Sequence, residues 1–341
     1  MTVPVKASAN YNDNSKLQQQ AISSMMALLP TDFQGKSITV ADYGSCEGQN
    51  SVLLVHQLLS ALPDLRAANI IFNDQPNNDF SCLAKTIEQN MQALACNGRL
   101  DVFPSMIPRS FKEKVIADGS VNVGLCNASL HWLSPESPGI GHQYFPPMSV
   151  AGPVAHQELV SFLALRAREI LPGGTLILGI AGKGEFSFEP GLRCLSLAID
   201  DLESDGRIPA SVASTCRSPV YFRTAEEINM AVEAEGSWTI SGRHDTALPE
   251  ASELWLARGQ KPGEDSQNLD EEFRTKLCDH LSSTIIGSSG NTILTAVRKQ
   301  TGDFDEIRLL QDLSDRFKHH FFEQFTTGIG GHFYYLRLSR K

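Results

Sequence analysis

Two acidic residues and two glycines follow apolar runs near the start of the chain, and these residue types can bind a charged ligand. The segment TVADYGSCEGQN places Asp42, Gly44 and Gly48 after the first run, and ANIIFND ends the second run with Asp74. Glycine lets a backbone turn sharply and approach a ligand closely, and a carboxylate can accept both hydroxyls of a ribose. The pattern therefore predicts a site for a ribose-bearing ligand.

The spacing of the glycines separates two classes of cofactor. Gly44-x-x-x-Gly48 departs from the GxGxxG of dinucleotide sites, and Glu47 within the turn would repel a pyrophosphate. S-adenosylmethionine (SAM) carries an ammonium, a sulfonium and a ribose diol but no phosphate, so acidic residues suit it. Asp74 does not discriminate by itself, because NAD sites also bind ribose through a carboxylate. Together these features favour SAM, and we expect Asn50 or Ser51 to cap the next helix.

Alternating strand-like and helix-like segments must position these residues. The apolar runs at 38–41 and 68–74, SVNVGLCNAS and TLILGIAG each stand beside a segment with helical spacing. This alternation predicts an α/β fold with a mostly parallel sheet covered on both faces. SWTISGRH and HFYYLRLS are expected to add antiparallel edge strands. The helical pattern over 268–325 between them predicts a cap over the sheet.

Composition and sequence pattern argue against several classes of protein. The chain has 341 residues, of which 41% are hydrophobic and 20% charged, as is typical of a globular protein. Its formal net charge of −10 argues against a partner of nucleic acid, which needs a basic stripe. No apolar stretch approaches the length of a membrane span, and the N-terminus lacks a secretory pattern. We therefore expect a cytoplasmic protein without a nucleic-acid or membrane partner.

Neither the cysteines nor the histidines predict a metal site. The seven cysteines contain no CxxC pair, so neither a disulfide framework nor a structural zinc is indicated. His319 and His320 are adjacent, and adjacent residues do not share one face of a helix.

Motifs from end to end resemble the SABATH family of SAM-dependent carboxyl methyltransferases. They are YNDNSKLQQQ, ADYGSCEGQNS, FNDQPNNDF, IPRSF, NASLHWLS and FLALRAREILPGGTLIL. Family members methylate salicylic, benzoic and jasmonic acids, and relatives N-methylate purine alkaloids. The resemblance implies a Rossmann-like class I methyltransferase sheet with a helical cap, and SAM as cofactor with S-adenosylhomocysteine (SAH) as product.

Carried over by position, the resemblance also implies roles for individual residues. The implied cofactor contacts are Tyr11, Ser15, Asp42, Gly44, Ser45, Asn50, Asp74, Gln75, Ser110 and Phe111. Gln18, His131 and Trp132 would face the substrate, and Tyr221 and Phe222 would line the acceptor pocket. The implied domains are an N-terminal segment over the active site (1–34), a SAM-binding core (35–185, completed by 220–258 and 328–341) and a helical cap (186–219 and 260–327).

Departures from the plant pattern affect the acceptor pocket more than the cofactor framework. Cys46, Glu47 and Gln49 replace Ser, Ser and Pro, and Gln75 replaces a leucine. Ala128 replaces a tyrosine, and SFKEK replaces SFYGR. The pocket is therefore expected to be less aromatic than that of a salicylate enzyme, and the protein to come from a fungal or bacterial source.

The implied reaction is esterification of a small carboxylic acid, whether aromatic, aliphatic or dicarboxylic. A carboxylate is already ionised at neutral pH, so the site must mainly orient the reacting atoms. The amide of Gln18 and the indole N–H of Trp132 offer the donors that would fix the acceptor oxygen. With a ring nitrogen or a phenol as acceptor, His131 would instead serve as the base.

Other functions remain open from the sequence. One is the N- or phenolic O-methyltransferase of the same family, and a second is an NAD-dependent oxidoreductase on a similar sheet. The missing GxGxxG and Glu47 weigh against the oxidoreductase. A third is a SAM-binding protein without catalysis. The family resemblance also allows a homodimer.

Overall fold

A seven-stranded mixed sheet forms the centre of the molecule. The computed structural model describes residues 22–261, 269–301, 304–324 and 328–341. The strands are β1 (Ser37–Tyr43), β2 (Ala67–Asp74), β3 (Asp101–Pro108), β4 (Val121–Asn127), β5 (Ile170–Gly182), β6 (Trp238–Pro249) and β7 (Gly330–Arg340). Their order is β3-β2-β1-β4-β5-β7-β6, and the first five strands in the chain pair in parallel. The predicted class of fold, a mostly parallel sheet with antiparallel strands at one edge, is confirmed.

The strand order reverses between β1 and β4, and this reversal places the site. Strands β2 and β3 lie on one side of β1, while β4 and β5 lie on the other. In open α/β sheets the crevice beyond the carboxyl ends of the strands at such a reversal is where ligands bind. Residues that follow β1, β2 and β4 therefore meet at one edge of the sheet.

Helices cover both faces of the sheet. They are α1 (Gln49–Ser60), α2 (Phe80–Gln89), α3 (Met91–Leu94), α4 (Met148–Glu169), α5 (Glu189–Ser204), α6 (Ala210–Ala213), α7 (Ala225–Glu235), α8 (Ser252–Ala257), α9 (Glu271–Thr301) and α10 (Glu306–Glu323). One apolar cluster joins the sheet to α1, α2, α5, α9 and α10, and a second joins it to α4 and α7. None of the described helices is both long and apolar enough to cross a membrane.

Helices α5, α9 and α10 form a layer packed beside the sheet. The amphipathic pattern of α10 buries Leu310, Leu313 and Phe317, and α5 contributes Leu195 and other apolar residues to the same cluster. Two buried hydroxyls, on Ser282 of α9 and Ser314 of α10, hydrogen-bond across the interface at 2.8 Å. Helices α9 and α10 fill most of 268–325, the segment for which the sequence predicted a helical pattern.

Two local features differ from the sequence-based interpretation. Strand β3 was not predicted, because it is an edge strand with mostly exposed side chains and it contains Pro104. Proline is tolerated at an edge, where no ladder hydrogen bond is required of its nitrogen. The expected cap of α1 by Asn50 or Ser51 is wrong. The helix begins at Gln49, and Gly48 is its N-cap without any side-chain hydrogen bond.

Candidate functional site

The turn after β1 is a tight loop that depends on its two glycines. Gly44 has φ of 95° and Gly48 has φ of 91°, a region that strains other residues. A Cβ on Gly44 would lie 2.4 Å from Ser129 Oγ, and one on Gly48 would lie 2.5 Å from Leu83 Cδ1. Both the backbone conformation and the close packing therefore require glycine at these positions.

Asp74, at the end of β2, is hydrogen-bonded to this turn. Its Oδ2 accepts from the Cys46 backbone N–H at 2.6 Å, and its Oδ1 accepts from the Gln75 N–H at 2.7 Å. Burial raises the pKa of Asp74, and the two backbone hydrogen bonds oppose that shift. Each oxygen keeps a second lone pair, so the carboxylate can still accept the two hydroxyls of a ribose.

A concave surface lies between the turn, α1 and the end of β4. It is lined by Asp42, Gly44, Ser45, Cys46, Gly48, Gln49, Asn50, Ser51, Leu54 and Asn127. The side-chain oxygens of Asn50 and Asn127 are buried without a hydrogen-bond partner among the described residues. Unpaired buried acceptors are costly, and the ammonium of SAM supplies the donors that they lack. The residues present therefore fit the expected cofactor.

Asp42 adds a titratable group to the floor of this surface. It is 4% exposed, and burial raises its pKa to about 7, with a contribution from nearby Asp74. A hydrogen bond from Ser51 opposes the shift. A cation placed beside Asp42 would favour its ionised form.

The loop after β3 lies against the same turn. Buried Asn73 joins them, since its backbone oxygen accepts from the N–H groups of Gly44 and Ser45 and its Nδ2 donates to the Arg109 oxygen. The expected residues Ser110 and Phe111 follow directly. The ring of Phe111 packs edge-on against Phe162 and lies 3.6 Å from the position of a Cβ on Gly44.

His131 and Trp132 lie in the loop after β4, within an aromatic cluster. Their ring centroids are 4.7 Å apart, and the ring of Phe222 stacks on His131 at 5.8 Å with Phe188 beyond it. Ser129 lies against Gly44 two residues before His131, so the cluster adjoins the glycine turn. The structure thus brings His131, Trp132 and Phe222 together beside the expected cofactor site.

Burial controls the chemistry of His131. Burial, together with a smaller contribution from the nearby Arg223 guanidinium, lowers the pKa of the imidazole to about 3. The Nδ1 atom is buried without a hydrogen-bond partner in the described parts of the chain. His131 is therefore a neutral side chain at physiological pH.

The side chain of Tyr221 packs away from the other expected acceptor residues, although its backbone N–H donates to the His131 oxygen at 2.9 Å. Neighbouring side chains in an extended segment point to opposite sides, and Tyr221 packs with Leu133, Ile140 and Ala155. Its hydroxyl donates to Glu227 at 2.5 Å. The structure places the side chain of Phe222, but not that of Tyr221, against the His131 ring. The remaining expected residues, Tyr11, Ser15 and Gln18, lie outside the described residues.

Asn73, Asn127 and Arg223 were missed by the sequence analysis. Asn73 and Asn127 end β2 and β4, so the rule that ligands bind beyond strand ends could have found them. Arg223 carried no signal, since its burial depends on contacts with residues far away in the chain. Among the described residues, no group of three or more His, Cys, Asp or Glu could hold a metal ion.

Comparison with known proteins gives a consistent result. Residues 6–148 and 155–303 match the model of a family described as SAM dependent carboxyl methyltransferase. Methyltransferase LUC1 of Fusarium sp is 28% identical, over 99% of this chain and 97% of that protein. The 3,7-dimethylxanthine N-methyltransferase TCS1 of Camellia sinensis var. assamica is 25% identical over 74% of this chain and 79% of that protein.

A solved structure has the same fold. Loganic acid methyltransferase with SAH superimposes with a TM-score of 0.73, covering 98% of this chain and 96% of that chain at 19% identity.

Proposed function

Because the chain belongs to the family of SAM-dependent carboxyl methyltransferases, we propose that it methylates the carboxylate of a small organic acid. The products are a methyl ester and SAH. The coarser activity, SAM-dependent methyl transfer, follows from the family, whereas the choice of a carboxylate as acceptor is the proposal.

The enclosure of the His131 ring, whose Nδ1 is buried without a partner among the described residues and which packs between Trp132 and Phe222, carries this choice. A carboxylate is ionised near neutral pH and needs no base, whereas a ring N–H or a phenol has to lose a proton. An imidazole with a pKa of about 3 is a weak proton acceptor at any physiological pH. The aromatic cluster around His131 therefore suits an acceptor that arrives without a proton to remove.

Cofactor binding is assigned to the surface beyond β1 and β2. Asp74 would accept the ribose hydroxyls, and Asp42 with the side-chain oxygens of Asn50 and Asn127 would accept from the ammonium. The glycine turn lets the backbone approach, and Ser110 and Phe111 close the adenosine side. When bound, SAM would supply the electrophilic methyl group for the acceptor oxygen and would leave as SAH.

The acceptor is held mainly by orientation. The indole N–H of Trp132 makes no hydrogen bond within the described residues, so it is available as a donor to one carboxylate oxygen. His131 and Phe222 provide flat apolar surface beside it and exclude water. Gln18 is proposed as the second donor. Orientation of this kind contributes on the order of 7–11 kcal/mol to lowering a barrier.

An N-methyltransferase is the second candidate, because the xanthine N-methyltransferase matches over 74% of this chain. In that case His131 would be the base, and its pKa would lie well below the near-neutral value that suits a general base.

A panel of acceptors tests the proposal. We would measure SAH release and product mass with aromatic, aliphatic and dicarboxylic acids, purines and phenols. The proposal predicts a mass gain of one or two methyl groups on at least one acid. Turnover of purines or phenols with none of any acid would contradict it.

A further inference from the structure

A group of charged side chains lies behind the loop that carries His131 and Trp132. Lys112 Nζ is 2.8 Å from Glu158 Oε2 and also donates to the Ser134 hydroxyl at 3.0 Å. The other oxygen of Glu158 accepts from the Ser134 N–H and from the Ser137 hydroxyl, both at 2.9 Å. One end of residues 130–134, the acceptor loop, is thereby bound to α4 through Glu158.

Arg223 binds the other end of the acceptor loop. Its guanidinium is 2% exposed and donates to the Leu130 oxygen at 2.6 Å and to the Ala155 oxygen at 2.7 Å. Ala155 lies three residues before Glu158 on α4, so both ends of the loop are attached to one helix. The positions of His131 and Trp132 therefore depend on these charged contacts.

Lys112 connects these charged contacts to the loop of Ser110 and Phe111, which the proposed function assigns to the cofactor. It follows Ser110 and Phe111 directly, and its backbone N–H donates to the Ser110 hydroxyl at 3.2 Å. Its side chain is 25% exposed and that of Glu158 is 17% exposed, so water screens the pair incompletely. One residue thus contacts the cofactor loop with its backbone and the acceptor loop with its ammonium.

We propose that Lys112 is a positioning residue that couples the binding of SAM or SAH to the geometry of the acceptor loop, with Glu158 as the shared partner. The inference rests on the proposed function only where that function assigns the two loops to cofactor and acceptor. It does not depend on which atom of the acceptor is methylated. Removing the ammonium leaves Glu158 without its counter-charge and frees the Ser134 hydroxyl.

Trp132 provides a local reporter, so the acceptor need not be known. The protein has three tryptophans, and Trp238 and Trp255 are 3% and 1% exposed in the core. We expect SAH titrated into the full-length protein to change the fluorescence, and Trp132→Phe to remove most of that change. SAH affinity is measured in parallel by calorimetry.

The test compares Lys112→Met with Lys114→Met. Lys114 lies two residues further along the same segment, and its ion pair with Asp118 is exposed. We expect Lys112→Met to weaken SAH binding about three- to tenfold and to remove the Trp132 response at saturating SAH. Lys114→Met should keep the SAH affinity and the Trp132 fluorescence response at the wild-type level. Lys112→Arg should keep part of the fluorescence response because it retains the positive charge.

A Trp132 response that persists in Lys112→Met at saturating SAH would overturn the coupling. Equal loss in Lys114→Met would also overturn it, since the effect would then belong to the whole segment. Circular dichroism and thermal unfolding check that each variant is folded. If Lys112→Met is unfolded, amide exchange of 130–134 is compared with and without SAH in Glu158→Gln, which removes the partner charge of Lys112. Loss of the SAH-dependent protection supports the coupling, and protection at the wild-type level overturns it. Methylation of purines but not acids would contradict the proposed function and leave this test intact.

Discussion

At the scale of single residues, burial sets the protonation of the two groups nearest the expected reaction. Asp42 is buried, and so is the Nδ1 atom of the half-buried His131, so desolvation disfavours the charged form of each. The pKa of the acid therefore rises to about 7, and that of the imidazole falls to about 3. We therefore expect Asp42 to titrate near neutrality and His131 to stay neutral there.

The raised pKa of Asp42 predicts pH-dependent cofactor binding. Below pH 7 the carboxyl must lose a proton to receive the ammonium, so SAH affinity should fall by up to about tenfold per pH unit. Calorimetry between pH 5.5 and 8.5 measures this. Asp42→Asn should bind more weakly at pH 8 and lose most of the slope. Asp64→Asn, at an exposed aspartate, serves as the control; an unchanged slope in Asp42→Asn would contradict the assignment.

The lowered pKa of His131 predicts that turnover includes no proton transfer to this imidazole. Between pH 6 and 9 the imidazole stays neutral, so His131→Gln should lower kcat through packing while leaving the shape of the pH–kcat profile unchanged. A rise with pH that disappears in His131→Gln would instead identify His131 as a base.

Trp132 is expected to act on the acceptor and not on the cofactor. Trp132→Phe keeps an aromatic ring but removes the indole N–H, so it should reduce kcat/KM for the acid by about tenfold or more. SAH affinity by calorimetry should stay within about twofold. A matching loss of SAH affinity would show that Trp132 supports the whole site.

At the scale of elements, the turn between β1 and α1 combines strained backbone with close contacts. Gly48→Ala should weaken SAH binding and lower the free energy of unfolding by about 1–3 kcal/mol. Gly98→Ala is a matched control, because Gly98 has a similar φ of 86° but nothing within 4 Å of its Cβ position. Denaturant unfolding measures the loss of unfolding free energy in each variant. The difference between the two losses gives the cost of the close contact with Leu83, because both variants share the cost of a positive φ. Equal losses would mean that the contact with Leu83 contributes nothing.

Most of the elements at the site could be predicted from the sequence, because periodic apolar runs report burial directly. The pattern around Asp42 and Asp74 also gave the class of cofactor. Strand β3 could not be predicted, since the side chains of this exposed edge strand do not alternate between apolar and polar residues. The side chains of Tyr221 and Phe222 lie in different environments, and these environments depend on what packs against each face of the extended segment. The sequence contains no such information without the fold.

At the scale of the whole molecule, one buried ion pair ties the sheet to α4 and to the loop after β3. Arg166 and Glu169 are both fully buried and lie 2.9 Å apart. Glu169 also accepts from the Tyr43 hydroxyl and from the Val115 N–H. Arg166 donates to the Phe111 oxygen at 2.8 Å. The end of β1 and the loop after β3 are therefore held by the same two charges.

Loss of this pair should destabilise the whole fold. Glu169→Gln leaves the Arg166 guanidinium buried without a counter-charge, so the free energy of unfolding should fall by about 3–5 kcal/mol. Arg168→Ala removes the exposed pair with Asp118 and should cost less than about 1 kcal/mol. Urea unfolding monitored by circular dichroism compares the two. Equal and small effects would show that the buried pair does not hold the fold together.

Mild alkaline hydrolysis of the purified product identifies the atom that received the methyl group. The wild-type enzyme is incubated with SAM and the best acid from the panel, and the product is analysed by mass spectrometry before and after hydrolysis. A methyl ester loses the added methyl mass and returns the starting acid, which is the predicted result. A product that keeps its methyl group through hydrolysis carries it on nitrogen or on an ether oxygen, and that result would contradict carboxyl methylation.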